Sequence, residues 1–270
     1  MEDIAETAEE EENPGRKKMT LGEHLEEFRK RVIYSLIGLA ATMSVTLIWG
    51  QWILAQLELP YKKVMLECHL DPRLTVLSST AGFAVYFKVT LIAGALLASP
   101  WIFYQLWMFV SAGLYPKERR YVTYAVPFSV TLFVGGAMFF LYVAAPPMLR
   151  FLIGFSQWLD LNPMITLDDQ IDFMTKSMFL FGLAFQTPLV ILILAKIGLI
   201  NSRMLSKHRR HVIVIILIVA GLLTASPNVV DQFVLAVPLY LLYELGVLLV
   251  RILVDRPRQA QEQAEARGEE

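Results

Sequence analysis

Charge is scarce in this 270-residue chain. Asp, Glu, Lys and Arg make up 18% of it, against roughly 25% in ordinary soluble domains. Hydrophobic residues make up 56%, and the mean hydropathy is +0.51. That balance excludes a soluble domain with an ordinary polar shell. Cysteine occurs once, at Cys68, so no disulfide can form within the chain. The four histidines, His24, His69, His208 and His211, are expected in loops and lack metal-ligand spacing; Cys68 beside His69 does not complete a site. HExxH, GxSxG and P-loop signatures are missing, and no Ser/His or Asp/Asp pair stands at membrane depth. The sequence therefore offers no catalytic constellation, reads as a non-enzyme and implies no cofactor. No internal repeat is evident, which argues against solute carriers built from repeats with broken helices.

What the sequence has is long apolar runs. Lipid gives the backbone no hydrogen-bond partner, so spanning segments are helices or strands of a closed barrel. Barrel strands are about 10 residues long and alternate apolar with polar. The runs here are about twice that length without alternation, so the expected class is an all-α integral membrane protein. Six helices are expected over residues 32–54, 82–110, 121–145, 173–197, 212–223 and 233–254. Pro100, Pro188 and Pro238 fall inside the second, fourth and sixth, and the third is expected to end before Pro146-Pro147. The fifth has about 12 apolar residues, fewer than the roughly 20 a full crossing needs. Joined to the sixth through Ala225-Ser226-Pro227-Asn228, it forms a hairpin that stops short of the far interface or sits in a thinned bilayer.

Lys and Arg beside the helix ends set the orientation. One side holds 17 of them, before the first segment, between the second and third, between the fourth and fifth, and after the sixth; the other holds 4, Lys62, Lys63, Arg73 and Arg150. Both termini are thus expected in the cytoplasm, with two longer loops, 55–81 and 146–172, outside. Residues 1–19 and 256–270 read as disordered polar tails around a membrane domain at 20–255, and the first 19 hold no apolar core of a secretory signal.

Polar groups beside the spans are the candidates for function. Thr20 and Glu23 fit a capping box, and Leu21, Leu25, Phe28 and Val32 share one helical face. A cytoplasmic helix is expected there, turning at the membrane surface into the first span. Its polar face carries Glu23, Glu27, Lys30 and Arg31, where a Glu27–Arg31 pair at i,i+4 would contribute about 0.3–0.5 kcal/mol. In the short loop 113–120, Glu118 sits among three bases at a helix start marked by Pro116. Within the spans, Gln186 suits a helix–helix hydrogen bond. Lys88 and Lys176 are expected to reach for the outer interface, and Glu244, near Arg251, to face the cytoplasmic rim.

Four stretches in order resemble one family. They are His24-Leu25-Glu26-Glu27-Phe28-Arg29-Lys30-Arg31, residues 99–109 (SPWIFYQLWMF), Leu114-Tyr115-Pro116-Lys117-Glu118-Arg119-Arg120, and Gly182-Leu183-Ala184-Phe185-Gln186-Thr187-Pro188. Together they resemble the TatC family, the multispanning receptor subunits of the twin-arginine protein translocase, over about residues 20–256. The resemblance implies a glove-shaped six-helix fold in a bacterial cytoplasmic membrane. It also implies recognition of folded cargo through a signal peptide with two consecutive arginines, TatA-like and TatB-like single-span partners that dock on helix surfaces such as the fifth, self-association in the complex, and drive by the proton motive force. By motif, the arginine pair falls to Glu27 and Glu118, with Arg29 and Phe109 at the same site and Pro60 in an outer loop. Two positions depart from the family pattern: Gln186 where Glu is frequent, and Asn228 where Asp is frequent. The competing reading, a small-solute or ion transporter, predicts charged or broken-helix groups at mid-membrane, where the sequence offers little beyond Gln186 and Lys88.

Overall fold

The computed structural model describes residues 21–113, 119–161, 164–224 and 229–256. The first proposed tail, all of the second but Arg256, and Thr20, Glu118 and Asn228 lie outside them. The described residues are helical almost throughout; their only β feature is an isolated parallel bridge between Thr75 and Thr166. The all-α expectation therefore holds.

Helix α1, Leu21–Thr46, is one continuous helix of 26 residues. The expected turn between an amphipathic start and the first span is absent. No Gly or Pro interrupts residues 23–37, so the backbone hydrogen bonds run on. At 1.5 Å per residue α1 is about 39 Å long, enough for a hydrocarbon core of about 30 Å. The chain then bends by 86° into α2, Gly50–Glu67. The expected first span, 32–54, runs across that bend and is corrected accordingly. Trp49 donates to the Thr46 carbonyl, a tight i→i+3 closure, and Gly50 packs against the Tyr86 ring, where a side chain would collide.

Helix α3, Ala81–Ala112, passes straight through Pro100. Proline cannot donate to the carbonyl four residues back. Ser99 Oγ donates to that carbonyl, Leu96 O, at 2.7 Å. Helix α4, Arg119–Phe139, continues through a π-helical turn, Phe140–Ala144, into α5, Ala145–Trp158. The third span does not stop before Pro146-Pro147 as expected. Ala145 N–H bonds Phe140 O, five residues back. The widened turn places both prolines in the first turn of α5, where a missing N–H costs nothing.

Helix α6, Leu167–Ala184, begins at Thr166, whose hydroxyl accepts from Asp169 N at 3.1 Å. It breaks at Phe185 and Gln186, before Pro188, and resumes as α7, Thr187–Ile197, which ends at Gly198 with φ 90°. Short α8, Ser202–Lys207, leads to α9, Arg209–Thr224, and α10, Val229–Val250, followed by a second π turn to Asp255. The expected outer loops 55–81 and 146–172 are thus largely helix, made of most of α2 and α5. His24 and His211 likewise lie inside helices, not loops.

Among the described residues, four helices are long and apolar enough to cross a membrane, five if the bent α1–α2 pair counts as one span. Helix α9, with 16 residues, is the short fifth segment and, added to those five, makes six, consistent with six crossings. The main buried cluster lies where α2, α3, the π turn, α5 and α6 meet, around Tyr61, Val85, Phe140, Met148, Met174 and Phe181. Exposed Leu36, Ile37, Phe83, Phe128, Val214 and Leu241 give the outer surface the apolar character lipid requires.

Candidate functional site

Helices α1 and α3 run antiparallel, stitched by a ladder of polar contacts. Thr46 Oγ1 donates to Thr90 O at 2.8 Å, and Thr42 Oγ1 to Gly94 O at 2.9 Å. Trp101 Nε1 donates to Tyr34 O at 2.9 Å. Gly94 makes the approach possible, because a Cβ there would stand 3.1 Å from Met43 Cα. The ladder ends where α1 begins and α3 closes, and the site residues collect there.

Glu27 is half-buried. Its Oε1 accepts from both Nε and Nη2 of Arg31, each at 2.6 Å. Arg31 Nη1 reaches across to α3 and donates to Gln105 Oε1 at 2.9 Å. Gln105 is only 2% exposed, so its position is fixed by packing. One turn nearer the end, Phe109 stacks on His24 (centroids 4.5 Å apart, 27° between planes) and meets the edge of Phe28 at 5.2 Å. The structure thus brings Glu27 and Phe109 to one corner. Arg29 is exposed. Glu118 lies outside the described residues, although α3 ends at Ala112, beside Phe109, and α4 starts at Arg119. The corner therefore offers a carboxylate, a charge relay and an aromatic wall: the means to bind a cation attached to an apolar chain.

The remaining candidates lie elsewhere. Gln186 sits at the α6–α7 break, 8% exposed, and Nε2 donates to Ser129 O at 2.8 Å; Trp107 Nε1 donates to Ser129 Oγ at 2.7 Å. Its amide thus ties α7 to α4 beside α3. Pro60 is buried inside α2. Asn228 lies outside the described residues. Lys88 bonds Asp168 at 2.8 Å and Asp172 at 2.7 Å, and Lys176 bonds Asp172 at 2.9 Å, so both lysines lie in an α3–α6 ion network. Glu244 pairs with Arg209 at 2.8 Å and accepts from the Tyr240 hydroxyl at 2.7 Å. Among the described residues no group of three or more His, Cys, Asp or Glu could hold a metal.

Sequence reasoning missed two members of the corner, Gln105 and His24. The usable signal for Gln105 was a lone amide inside the apolar run Phe103–Phe109; its partner is 74 residues away in sequence.

The family model described as Sec-independent protein translocase protein (TatC) matches residues 23–238. The Sec-independent protein translocase protein TatC of Koribacter versatilis is 33% identical over 249 residues, covering 92% of this chain and 91% of that relative. The TatC of Campylobacter jejuni is 35% identical over 235 residues, 87% of this chain and 95% of the relative. A solved structure described as the twin arginine translocase receptor TatC superposes with a TM-score of 0.75 at 33% identity, covering 85% of this chain and 98% of that one.

Proposed function

The chain belongs to the TatC family of Sec-independent protein translocases, and on that premise we propose that it is the receptor that binds twin-arginine signal peptides at the corner that holds Glu27 and Phe109. As a member of that family it is a multi-pass membrane protein of the Tat protein-translocation system, a transport component and not an enzyme. The observation that carries the finer reading is Glu27, half-buried beside an aromatic wall and already in contact with a guanidinium. Guanidinium is planar, always charged and forked to match a carboxylate, whereas the lysine ammonium is a hydrated point charge. A carboxylate selected for guanidinium therefore demands arginine and rejects lysine. Glu118 supplies the second carboxylate by motif, Arg29 lines the approach, and the exposed apolar faces of Leu25 and Phe28 receive the hydrophobic part of the signal.

In this reading both termini face the cytoplasm of a bacterial cell, in line with the distribution of Lys and Arg. TatA-like and TatB-like single-span partners dock on the α9–α10 side. An apolar groove there is lined by Ile213, Leu217, Phe233, Ala236 and Tyr240. Gln232 bonds the Leu217 carbonyl at its edge. Transport of the folded cargo draws on the proton motive force. Gln186, already engaged inside the bundle, contributes helix packing in place of the charge the family often carries there.

The test is crosslinking of a twin-arginine signal peptide to the full-length protein in nanodiscs, against its twin-lysine version and against Glu27→Ala and Glu118→Ala. Capture that prefers arginine and falls in both variants supports the receptor reading. Equal capture across all of them, with the protein folded, refutes the site.

A further inference from the structure

We infer that Arg31 is an internal stand-in for the signal's guanidinium: it occupies Glu27 while the site is empty, and Gln105 retains it when the ligand takes its place. The inference rests on the receptor reading above and adds a competitor and a selectivity threshold to it.

The geometry is that of a contact poised for exchange. Two Arg31 nitrogens converge on one oxygen, Glu27 Oε1. An incoming guanidinium lying along both carboxylate oxygens makes the better-matched fork. The third Arg31 nitrogen is held by Gln105 Oε1 at 2.9 Å. Glu27 and Arg31 keep side-chain exposures of 21% and 19%, so the carboxylate can turn toward the aqueous side. Gln105 cannot follow it, because it is packed within α3. When Glu27 turns to the ligand, Arg31 keeps its charge-assisted bond to Gln105 and is not left as a stranded half-buried cation, which would be costly. One guanidinium leaves the carboxylate as another arrives, and the neutral Gln105 amide oxygen holds the displaced one.

The stand-in also filters ligands. A cation must match a guanidinium–carboxylate contact merely to break even against Arg31. An arginine does so. A lysine pays more dehydration and offers no fork, so it falls short of that threshold. A purely orienting Arg31 predicts the opposite sign, since its removal would weaken binding of every ligand.

The experiment titrates fluorescent twin-arginine and twin-lysine peptides against the full-length protein in nanodiscs, with each variant's thermal midpoint measured alongside. Arg31→Gln is expected to bind the twin-arginine peptide about fivefold tighter, the weight of a part-exposed ion pair, and the twin-lysine peptide tighter by a similar factor, because both must displace the same competitor. Gln105→Ala is expected to bind more weakly, because Arg31 is left with Glu27 as its partner, and Arg31→Gln/Gln105→Ala is expected to match Arg31→Gln. If Arg31→Gln does not fold, Arg31→Met decides: it removes the competing charge and keeps a long unbranched side chain, so it too should bind tighter than wild type. Weaker or unchanged binding by a folded Arg31 variant overturns the inference. Failure of the wild type to prefer arginine, or indifference to Glu27→Ala, would instead remove the receptor reading beneath it.

Discussion

Gly136→Ala tests whether α4 and α6 meet backbone to backbone. A Cβ on Gly136 would stand 2.6 Å from Phe181 O and 2.8 Å from Phe185 Cγ. The approach is reciprocal: a Cβ on Gly182 would stand 2.7 Å from Phe133 Cε2 and 3.2 Å from Phe133 O. Lipid supplies no hydrophobic drive between helices, so such close packing is a main source of their association. A side-chain neighbour could rotate away, but the Phe181 carbonyl belongs to the helix and cannot. The added methyl therefore pushes the helices apart, at a cost of about 1–3 kcal/mol by analogy with overpacked cores. Gly135 is the matched control. Nothing lies within 4 Å of its Cβ position, and alanine gains up to about 1 kcal/mol of helix propensity over glycine in water.

The two adjacent substitutions are thus expected to move stability in opposite directions. The assay is thermal unfolding in detergent, read as the fraction remaining monodisperse after heating. Gly136→Ala should lower the midpoint by several degrees, at about 2–4 °C per kcal/mol for chains near this size, and Gly135→Ala should leave or raise it. Equal shifts in the pair, or an unmoved Gly136→Ala, would refute the close approach.

Two further predictions concern the end of the bundle where α1 gives way to α2. Lys88→Met strands Asp168 and leaves Asp172 with Lys176 alone; the groups are 27–46% exposed, so the loss is expected near 1 kcal/mol at low salt. It should shrink in about 1 M salt, where charges are screened within about 3 Å; a salt-independent loss would show that packing, not charge, is at stake. Helix α2 leaves the bundle at 86° with Trp49 and Trp52 60% and 66% exposed, which suits an aromatic anchor at the headgroup boundary. Brominated lipids should quench wild type more than Trp49→Phe/Trp52→Phe when bromine sits high on the acyl chain; a larger difference with mid-chain bromine would place the helix in the hydrocarbon instead.

The spans were legible because the bilayer leaves the backbone few choices, and length and hydropathy report that constraint directly. Their interruptions were not. Residues 47–54 stay apolar through the α1–α2 bend, so hydropathy alone ran the first span on past Thr46. What ends it is that α1 is already long enough to cross, together with the packing of Gly50 on Tyr86, a contact made 36 residues downstream. Pro146-Pro147 read as a stop because proline cannot join a helix ladder, yet a π turn just ahead absorbs both. At Pro188 the same chemistry does break the helix, since no wider turn precedes it. In the site, Glu27 and Phe109 were reached through their motifs and Arg31 through its i,i+4 spacing, whereas Gln105 is meaningful only once α3 is laid against α1.

In the proposed receptor reading, that alignment is what sets the corner apart from a helix end with charges on it. Thr46 with Thr90, Thr42 with Gly94, Tyr34 with Trp101, Arg31 with Gln105 and His24 with Phe109 all share one antiparallel register. A slip by one residue would rotate every α1 side chain by about 100° and take Arg31 away from Gln105. Glu27 is thus set by contacts distributed over the whole length of α1. A carboxylate on a frayed first turn would have to be ordered by its ligand, at about 0.5–1.5 kcal/mol for each side chain immobilised. Here Phe109 and Gln105 have ordered that turn in advance, so the binding energy of a short peptide can go to telling arginine from lysine.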